Sequence, residues 1–280
     1  MFQKDLLAGK RILITGGATG LGKSMAQRFL ELGAAVYICG RREPVLQEAV
    51  AELSKAGGGP VKSFVCDVRK AQRVEEMIAE IWREGPLDIL VNNAAGNFLA
   101  RTEELSLGAF EAVIGIVLMG TLHCTLACGR RWIKEGHRGT VLSITTTYSE
   151  HGSAYVVPSG VAKAGVLNLT RSLAVEWGGR GIRLNAIAPG PVPTEGAFSR
   201  LMPVKSLEAL AKKRNPLGRF GTHEELANLA VFLVSDYSGY INGEQIVMDG
   251  GEFLKGASEF SMMGDLLTEE QWQAMKPKKK

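Results

Sequence analysis

Short apolar runs alternate along the chain with longer segments in which apolar residues recur at helical spacing. The runs cover residues 11–15, 35–39, 62–66, 87–92, 139–144, 182–187 and 244–248, and the amphipathic segments lie near 20–32, 43–56, 70–84, 103–135, 157–178 and 222–235. Continuous apolar runs separated by helices are typical of a parallel sheet covered on both faces. Right-handed crossovers between such strands give a doubly wound sheet. The pattern therefore predicts an α/β fold with a Rossmann-type parallel sheet of about seven strands.

No repeat or low-complexity linker divides the 280 residues, so residues 1–280 are predicted to form a single domain. Two segments depart from the alternation. The proline-rich stretch 190–216 is a long insertion before the last amphipathic segment, and long ordered loops of this kind usually bind ligands or act as lids. Residues 252–280 form a C-terminal extension, in which the capping-box sequence from Thr268 to Gln271 predicts a short helix.

A glycine-rich segment follows the first apolar run and opens the first amphipathic segment. In Thr15-Gly16-Gly17-Ala18-Thr19-Gly20-Leu21-Gly22, Gly16 permits a tight turn, Gly20 lets the backbone approach a pyrophosphate and Gly22 permits close packing. The N–H groups and positive potential of the helix that begins here bind phosphate. We expect a dinucleotide to bind along this loop, including Thr19 and Leu21.

Two arginines follow the second apolar run and indicate which dinucleotide binds. An NAD site normally places Asp or Glu here to accept hydrogen bonds from the ribose hydroxyls, whereas this chain has Gly40-Arg41-Arg42. Two guanidinium groups suit the 2′-phosphate of the adenosine ribose. The sequence therefore favours NADP(H) over NAD(H).

Composition excludes several other functions. The net charge is only +4, and the sequence has no basic stripe interleaved with aromatics, so a nucleic-acid partner is not expected. Four cysteines (Cys39, Cys66, Cys124 and Cys128) lie in apolar runs without a completing set of ligands, so we expect buried thiols and no metal site. The apolar stretch 109–129 contains Glu111 and His123, which favours a buried or subunit-interface helix over a membrane span. No signal or transit segment precedes the first apolar run, and a cytoplasmic enzyme is expected.

Five motifs spread over residues 8–252 resemble those of the short-chain dehydrogenase/reductase family: the glycine loop at 15–22, Cys66-Asp67-Val68, Asn92-Asn93-Ala94-Ala95-Gly96, Lys163, and Pro189-Gly190 followed by Thr194. The resemblance implies cofactor contacts from Asp67 and Val68 near the adenine, from Asn93 in the cleft, from Lys163, Pro189 and Gly190, and from Thr194 at the carboxamide of the nicotinamide.

Three active-site positions depart from the usual pattern of that family. The family's tyrosine, four residues before Lys163, is Ser159, and its helix asparagine is Val117. Thr146 occupies the position of the family's serine. A phenol beside an ammonium group can exchange protons near neutral pH, whereas a serine hydroxyl cannot. Ordinary alcohol–ketone chemistry needs such a proton transfer, so these departures argue against it.

The same departures resemble the NADPH-dependent 2,4-dienoyl-CoA reductases of the family, which reduce polyunsaturated acyl-CoA to 3-enoyl-CoA. The similar segments are 93–98, 143–148, 156–163, 189–191 and 196–201. The resemblance implies an acyl-CoA thioester substrate and a homotetramer. It assigns Tyr148 and Asn97 to the thioester oxygen, and Ser159 and Lys163 to the nicotinamide and its ribose. Phe98 follows Asn97 in one of the similar segments and is a further expected substrate contact. In the insertion 190–216, Phe198 is an apolar residue suited to an acyl channel and Arg200 is a cation suited to the phosphates of CoA. A conjugated dienoyl thioester accepts hydride at its far end while charge collects on its oxygen, so donors at that oxygen can replace the absent phenol.

Three alternatives remain open at this point. An enoyl-thioester reductase of fatty-acid synthesis would use a tyrosine at position 156, where this chain has Val156 with Tyr155 one residue out of register. A conventional alcohol dehydrogenase would need a displaced acid, for which Tyr155 is again the nearby phenol. A non-catalytic NADPH-binding protein would also tolerate the loss of the tyrosine.

Overall fold

The computed structural model describes residues 2–194, 205–257 and 263–274. Seven parallel strands form one sheet in the order β3-β2-β1-β4-β5-β6-β7. The strands are β1 Arg11–Thr15, β2 Ala35–Gly40, β3 Val61–Val65, β4 Ile89–Asn92, β5 Gly139–Ile144, β6 Ile182–Pro189 and β7 Gln245–Met248. The predicted doubly wound sheet is confirmed, with strand ends shifted by two residues at most.

The helices of the described residues are α1 Gly20–Glu31, α2 Glu43–Leu53, α3 Ala71–Arg83, α4 Leu107–Glu135, α5 Val157–Gly178, α6 Lys205–Arg214, α7 His223–Val234, α8 Glu252–Ala257, α9 Met263–Leu266 and α10 Glu269–Ala274. The predicted C-terminal helix is α10. Its capping box is formed, because Thr268 N–H donates to Gln271 Oε1 and Gln271 N–H donates to Thr268 Oγ1. Helix α6 lies within the proline-rich insertion and was not predicted.

Two apolar cores lie on opposite faces of the sheet. One core joins α1, α2 and α7 to the sheet through residues such as Phe29, Leu46 and Leu226. The other joins α3, α4 and α5 through residues such as Ile78 and Trp132. Because helices cover both faces, the central strands carry apolar residues at consecutive positions, which accounts for the runs in the sequence.

Helix α4 has the length and apolar composition of a membrane span, but half of its most apolar window is buried against the rest of the chain. Cys124 and Cys128 are fully buried on its inner face, and Trp132 donates a hydrogen bond to Leu87 O over 2.6 Å. These contacts agree with the predicted buried helix. A single widened turn, with π-type hydrogen bonding, covers Gly115–Met119 and places Ile116 at the cleft described below.

The four cysteines are free and buried, as predicted. Burial raises the pKa of Cys66 to about 11, and it also raises the pKa of the Cys39, Cys124 and Cys128 thiols above the ordinary value. Within the described residues, no group of three or more His, Cys, Asp or Glu side chains is arranged to hold a metal ion.

Candidate active site

A cleft of about 440 Å³ opens at the carboxyl ends of the strands, where the chain order reverses between β1 and β4. In doubly wound sheets the loops diverge at this point and leave a ligand crevice. The predicted residues Gly16, Thr19, Gly20 and Leu21 of the glycine loop line it, as do the arginine pair, the Asn93–Asn97 segment, and Asp67, Val68, Tyr148, Ser159, Lys163, Pro189 and Thr194. The predicted cofactor residues Gly22 and Gly190 are not among the residues that line it. The fold therefore brings together residues that are up to 178 positions apart, from Gly16 to Thr194.

The glycine loop is shaped to hold a phosphate group. Gly16 and Gly20 have φ values of +65° and +52°, which favour glycine. A Cβ on Gly22 would lie 2.4 Å from the Gly16 carbonyl oxygen, so the close packing at Gly22 is against the loop itself. Helix α1 begins at Gly20, and its first N–H groups have no partners inside the helix. An anionic ligand at this end would accept hydrogen bonds from them.

Thr15, the last residue of β1, fixes the neighbouring wall of the cleft. Its hydroxyl oxygen accepts hydrogen bonds from the backbone N–H groups of Asn93 and Ala94, each over 3.0 Å. The Asn93 side chain returns the contact by donating to Thr15 O and Gly16 O over 3.0 and 3.2 Å. The phosphate loop and the Asn93 segment are thus one hydrogen-bonded unit. Thr15 was part of the sequence motif, but its role could be seen only once β4 lay beside β1.

The end of the cleft beside α2 is basic. Arg41 and Arg42 are both exposed and line it, with Arg42 immediately before α2. Asp67 faces the same space, and its carboxylate accepts hydrogen bonds from the Arg69 guanidinium group over 3.0, 3.0 and 2.6 Å. Hydrogen bonds from Arg69 hold the pKa of Asp67 below its ordinary value, and Arg41 adds to this effect. Sequence reasoning missed Arg69, because only the turn after β3 brings it back onto Asp67.

At the other end of the cleft, three side chains form a hydrogen-bonded chain. Asn97 Nδ2 donates to Tyr148 Oη over 3.2 Å, and Tyr148 Oη lies 3.3 Å from Ser159 Oγ. The Phe98 N–H donates to Asn97 Oδ1 over 2.9 Å, which fixes the orientation of the amide so that its NH₂ group faces the tyrosine. An amide NH₂ group has two hydrogens, so Asn97 can still donate to a ligand. The structure therefore gathers a phenol and an amide as neighbouring donors at the cleft.

Lys163 lies one turn after Ser159 on α5 and is only 7% exposed. Its ammonium group donates a hydrogen bond to the carbonyl oxygen of Ile144, the last residue of β5. Burial lowers the pKa of Lys163 to about 8, because desolvation disfavours the charged form. Ser159 is 3% exposed, so both side chains are inward-facing parts of the cleft wall.

Two departures from the family pattern have clear structural settings. Val117 is 1% exposed in a small apolar cluster with Val113, Ala162 and Val166, so this position contributes packing. Phe98 packs against the same cluster and is half-buried. Its predicted contact with substrate therefore depends on the part of the ring that remains accessible. Thr146 is buried and lines the cleft.

The segment after β6 lines one side of the cleft with Val192 and Thr194. A Cβ on Gly190 would lie 2.7 Å from Asp249 Cβ, so this position requires glycine for its packing. Thr194 approaches the glycine loop, because a Cβ on Gly20 would lie 3.3 Å from Thr194 Cγ2. His223 supports this segment, since its Nε2 lies 2.6 Å from Pro193 O and its Nδ1 lies 2.6 Å from Ser24 Oγ on α1. The predicted substrate residues Phe198 and Arg200 lie outside the described residues.

Taken together, a doubly wound sheet with a phosphate loop and an inward-facing lysine defines an oxidoreductase that uses a nicotinamide dinucleotide. A family model described as enoyl-(acyl carrier protein) reductase matches residues 16–252. The chain belongs to the short-chain dehydrogenase/reductase family.

Individual relatives cover most of the chain. A probable 2,4-dienoyl-CoA reductase of Bacillus subtilis, named as producing (2E)-enoyl-CoA, is 47% identical over 88% of this chain and 97% of its own length. A probable 2,4-dienoyl-CoA reductase of Caenorhabditis elegans, named as producing (3E)-enoyl-CoA, is 43% identical over 93% of this chain and 85% of its own length. The crystal structure of a short-chain dehydrogenase from Bacillus anthracis is 43% identical with a TM-score of 0.81, covering 87% of this chain and 96% of that one.

Proposed function

We propose that the protein is an NADPH-dependent 2,4-dienoyl-CoA reductase that converts 2,4-dienoyl-CoA to 3-enoyl-CoA in the β-oxidation of unsaturated fatty acids. The observation that carries this proposal is the hydrogen-bonded pair Asn97–Tyr148 at the cleft, beside Ser159 in place of the usual phenol. The two relatives named as dienoyl-CoA reductases support the substrate class.

The donor pair suits the electron flow of this reaction. When bound, the reduced nicotinamide supplies a hydride, which a conjugated dienoyl thioester accepts at C5. Negative charge then develops on the distant thioester oxygen and gives a dienolate. Tyr148 and Asn97 would donate hydrogen bonds to that oxygen, where preorganised donors lower the barrier. The carbon that accepts hydride needs no acid, so Ser159 can replace a tyrosine without stopping the reaction.

Lys163 and Ser159 would hold the nicotinamide end of the cofactor. An ammonium group offers three donors for ribose hydroxyls, and its charge also favours negative charge nearby. Ser159 Oγ is close enough to Tyr148 Oη to orient the phenol. We therefore assign Tyr148 and Asn97 to the thioester, and Lys163 and Ser159 to the cofactor side.

The arginine pair favours NADPH as the hydride donor. Replacing both Arg41 and Arg42 with alanine should raise the KM for NADPH by about 10²-fold, because each charge-assisted hydrogen bond contributes about 1.5–3 kcal/mol. The KM for NADH should change little, since NADH lacks the 2′-phosphate.

Steady-state kinetics with both cofactors test this assignment. The double variant Arg83→Ala/Arg180→Ala removes two exposed arginines that do not line the cleft and serves as the control. If the parent enzyme already prefers NADH, the NADPH assignment is wrong.

The remaining features of the proposal follow from residue chemistry and from the resemblance. Phe98 would contact the substrate, Phe198 would line the acyl channel, and Arg200 would bind the phosphates of CoA. The long helices α4 and α5 would form the interfaces of a homotetramer. We further propose that the enzyme works in the cytoplasm. Size-exclusion chromatography with light scattering measures the subunit number directly.

Turnover of hexa-2,4-dienoyl-CoA with NADPH tests the function. Loss of absorbance from both compounds is the expected result. Reduction of crotonyl-CoA instead would indicate an enoyl-thioester reductase, and binding of NADPH without turnover of any thioester would indicate a non-catalytic protein.

Analysis of the product separates the two products named for the relatives, 3-enoyl-CoA and 2-enoyl-CoA. Protonation of the dienolate at Cα gives 3-enoyl-CoA, and protonation at Cγ gives 2-enoyl-CoA.

The lowered pKa of Lys163 gives a further expected result. Below a pKa of about 8 the side chain is an ammonium group, and above it the charge is lost. We therefore expect kcat/KM to fall as the pH rises through about 8, because this ratio reports the free enzyme. Lys163→Arg keeps the charge and should move the descending limb to higher pH. A flat profile from about pH 7 to about pH 9.5 would contradict the role of the ammonium charge.

A further inference from the structure

A buried polar cluster lies directly behind the 3₁₀ turn Thr147–Ser149, which carries Tyr148. Its three side chains are Thr145, Ser149 and Gln245, which are 3%, 6% and 6% exposed. Gln245 Oε1 lies 2.6 Å from Thr145 Oγ1 and 3.0 Å from Ser149 Oγ. Gln245 is 100 and 96 residues away from these partners along the chain. One side chain from β7 therefore ties together the residues on either side of the Tyr148 turn.

Gln245 reaches these partners across β6. In the sheet, Gln245 pairs with Ala186, and Ala186 pairs with Ser143 two residues before Thr145. Paired residues of neighbouring strands project from the same face of a sheet. The small side chain of Ala186 leaves room for the longer glutamine to cross to the end of β5. The contact of Gln245 with Thr145 and Ser149 therefore depends on a long side chain at position 245 and a short one at position 186.

The hydroxyl groups of Thr145 and Ser149 also bond to the backbone, so they connect Gln245 to the main chain. Ser149 Oγ donates to Thr146 O over 2.7 Å, and Thr145 Oγ1 donates to Ile187 O over 3.0 Å. The Ser149 N–H also bonds to Thr146 O, and the Gly152 N–H bonds to Tyr148 O. The backbone on both sides of the phenol is thus anchored to one buried amide.

An amide fits this position better than an apolar side chain of equal length. Each hydroxyl group has one hydrogen and faces both a main-chain carbonyl and the Gln245 amide. With its NH₂ end turned toward them, the amide would donate to both hydroxyls while they bond fully to the carbonyls. A satisfied polar network of this kind is rigid, whereas removal of its central member leaves buried hydroxyls without a partner.

We propose that Gln245 is a positioning residue for Tyr148, holding the phenol where it meets the thioester oxygen. This inference rests on the proposed function, in which Tyr148 stabilises the dienolate. A shift of about 1 Å in such a group can cost about 10²-fold in rate. The residue acts through Ser149 and Thr145 and itself touches neither cofactor nor substrate.

The first test is a double-mutant cycle between positions 245 and 148. Gln245→Met keeps the length of the side chain and removes its hydrogen bonds. We expect kcat with hexa-2,4-dienoyl-CoA to fall by about 10- to 100-fold, while the Kd for NADPH stays within about twofold. In the Tyr148→Phe background the same substitution should have little further effect, because the group that it positions is gone. An equal loss in both backgrounds would overturn the proposal.

A second measurement needs no substrate. Hydrogen exchange of peptides spanning residues 145–152, followed by mass spectrometry of the NADPH complex, should be faster in Gln245→Met than in the parent, because the Ser149 and Gly152 N–H bonds open more often. Gln72→Met on the exposed face of α3 is the matched control and should leave both readouts unchanged. Unchanged exchange at residues 145–152 would also overturn the proposal.

If the parent enzyme fails to reduce any dienoyl-CoA, the proposed function is wrong. The exchange measurement then still decides whether Gln245 holds the turn.

Discussion

Tyr148→Phe should lower kcat with hexa-2,4-dienoyl-CoA by about 10²- to 10³-fold, the usual cost of removing one donor from an oxyanion site. The phenol accepts a hydrogen bond from Asn97 and lies 3.3 Å from Ser159 Oγ, where either hydroxyl can be the donor. With Ser159 as the donor, the hydrogen of the phenol is available to a ligand in the cleft. The Kd for NADPH should remain nearly unchanged, because the phosphate loop and the arginine pair lie at the other end of the cleft. Stopped-flow turnover and fluorescence titration with NADPH measure the two quantities.

Tyr155→Phe is the matched control for this experiment. Tyr155 is 60% exposed, and it lies outside the group of described residues that line the cleft. Removal of its hydroxyl should leave turnover unchanged, and its backbone carbonyl can still accept a hydrogen bond from Ala100. If Tyr155→Phe abolishes activity while Tyr148→Phe does not, the acid is the displaced phenol that the alternative enzymes would use.

Lys163→Met should lower kcat/KM by at least about 10³-fold. The substitution would remove the hydrogen-bond donors to the cofactor, and it would also remove a positive charge near the reacting atoms. The same change should not lower the thermal unfolding midpoint of the free protein. The buried ammonium group has a pKa of about 8, which shows that its surroundings disfavour the charged form. Methionine has a similar length and carries no charge to desolvate.

Two comparisons decide how the Lys163→Met result is interpreted. Lys134→Met replaces an exposed lysine of α4 and should change neither activity nor stability. A Lys163→Met protein that unfolds at a much lower temperature would show that the lysine mainly supports the fold through its bond to Ile144. Full activity of that variant would remove Lys163 from the site.

The sequence predicted features that depend on local patterns. The glycine loop indicated the start of α1 at Gly20, and the helical spacing indicated α5 over residues 157–178. These features were accessible because helix capping, turn glycines and apolar periodicity act over a few residues. The cleft residues could likewise be grouped from the family motifs, since parallel strands bring their carboxyl ends to one edge of the sheet.

Features that depend on distant contacts could not be predicted. Gln245 meets Ser149 only because β6 and β7 lie next to β5, and nothing in the sequence near Gln245 indicates this. The hydrogen bonds from Arg69 to Asp67 depend on the shape of the turn after β3. The hydrogen bonds of Thr15 to the Asn93 segment depend on the pairing of β4 with β1. Helix α6 was not predicted, because the prolines of the insertion 190–216 indicated a loop.

A crystal structure of the enzyme with NADP⁺ and a bound acyl-CoA tests the central claim most directly. We expect Tyr148 Oη and Asn97 Nδ2 to lie within about 3.2 Å of the thioester oxygen, as hydrogen-bond donors to it. We also expect Lys163 to contact the nicotinamide ribose. A thioester oxygen that lies beyond about 4 Å from both donors, or that is bound instead by another part of the cleft, would contradict the account.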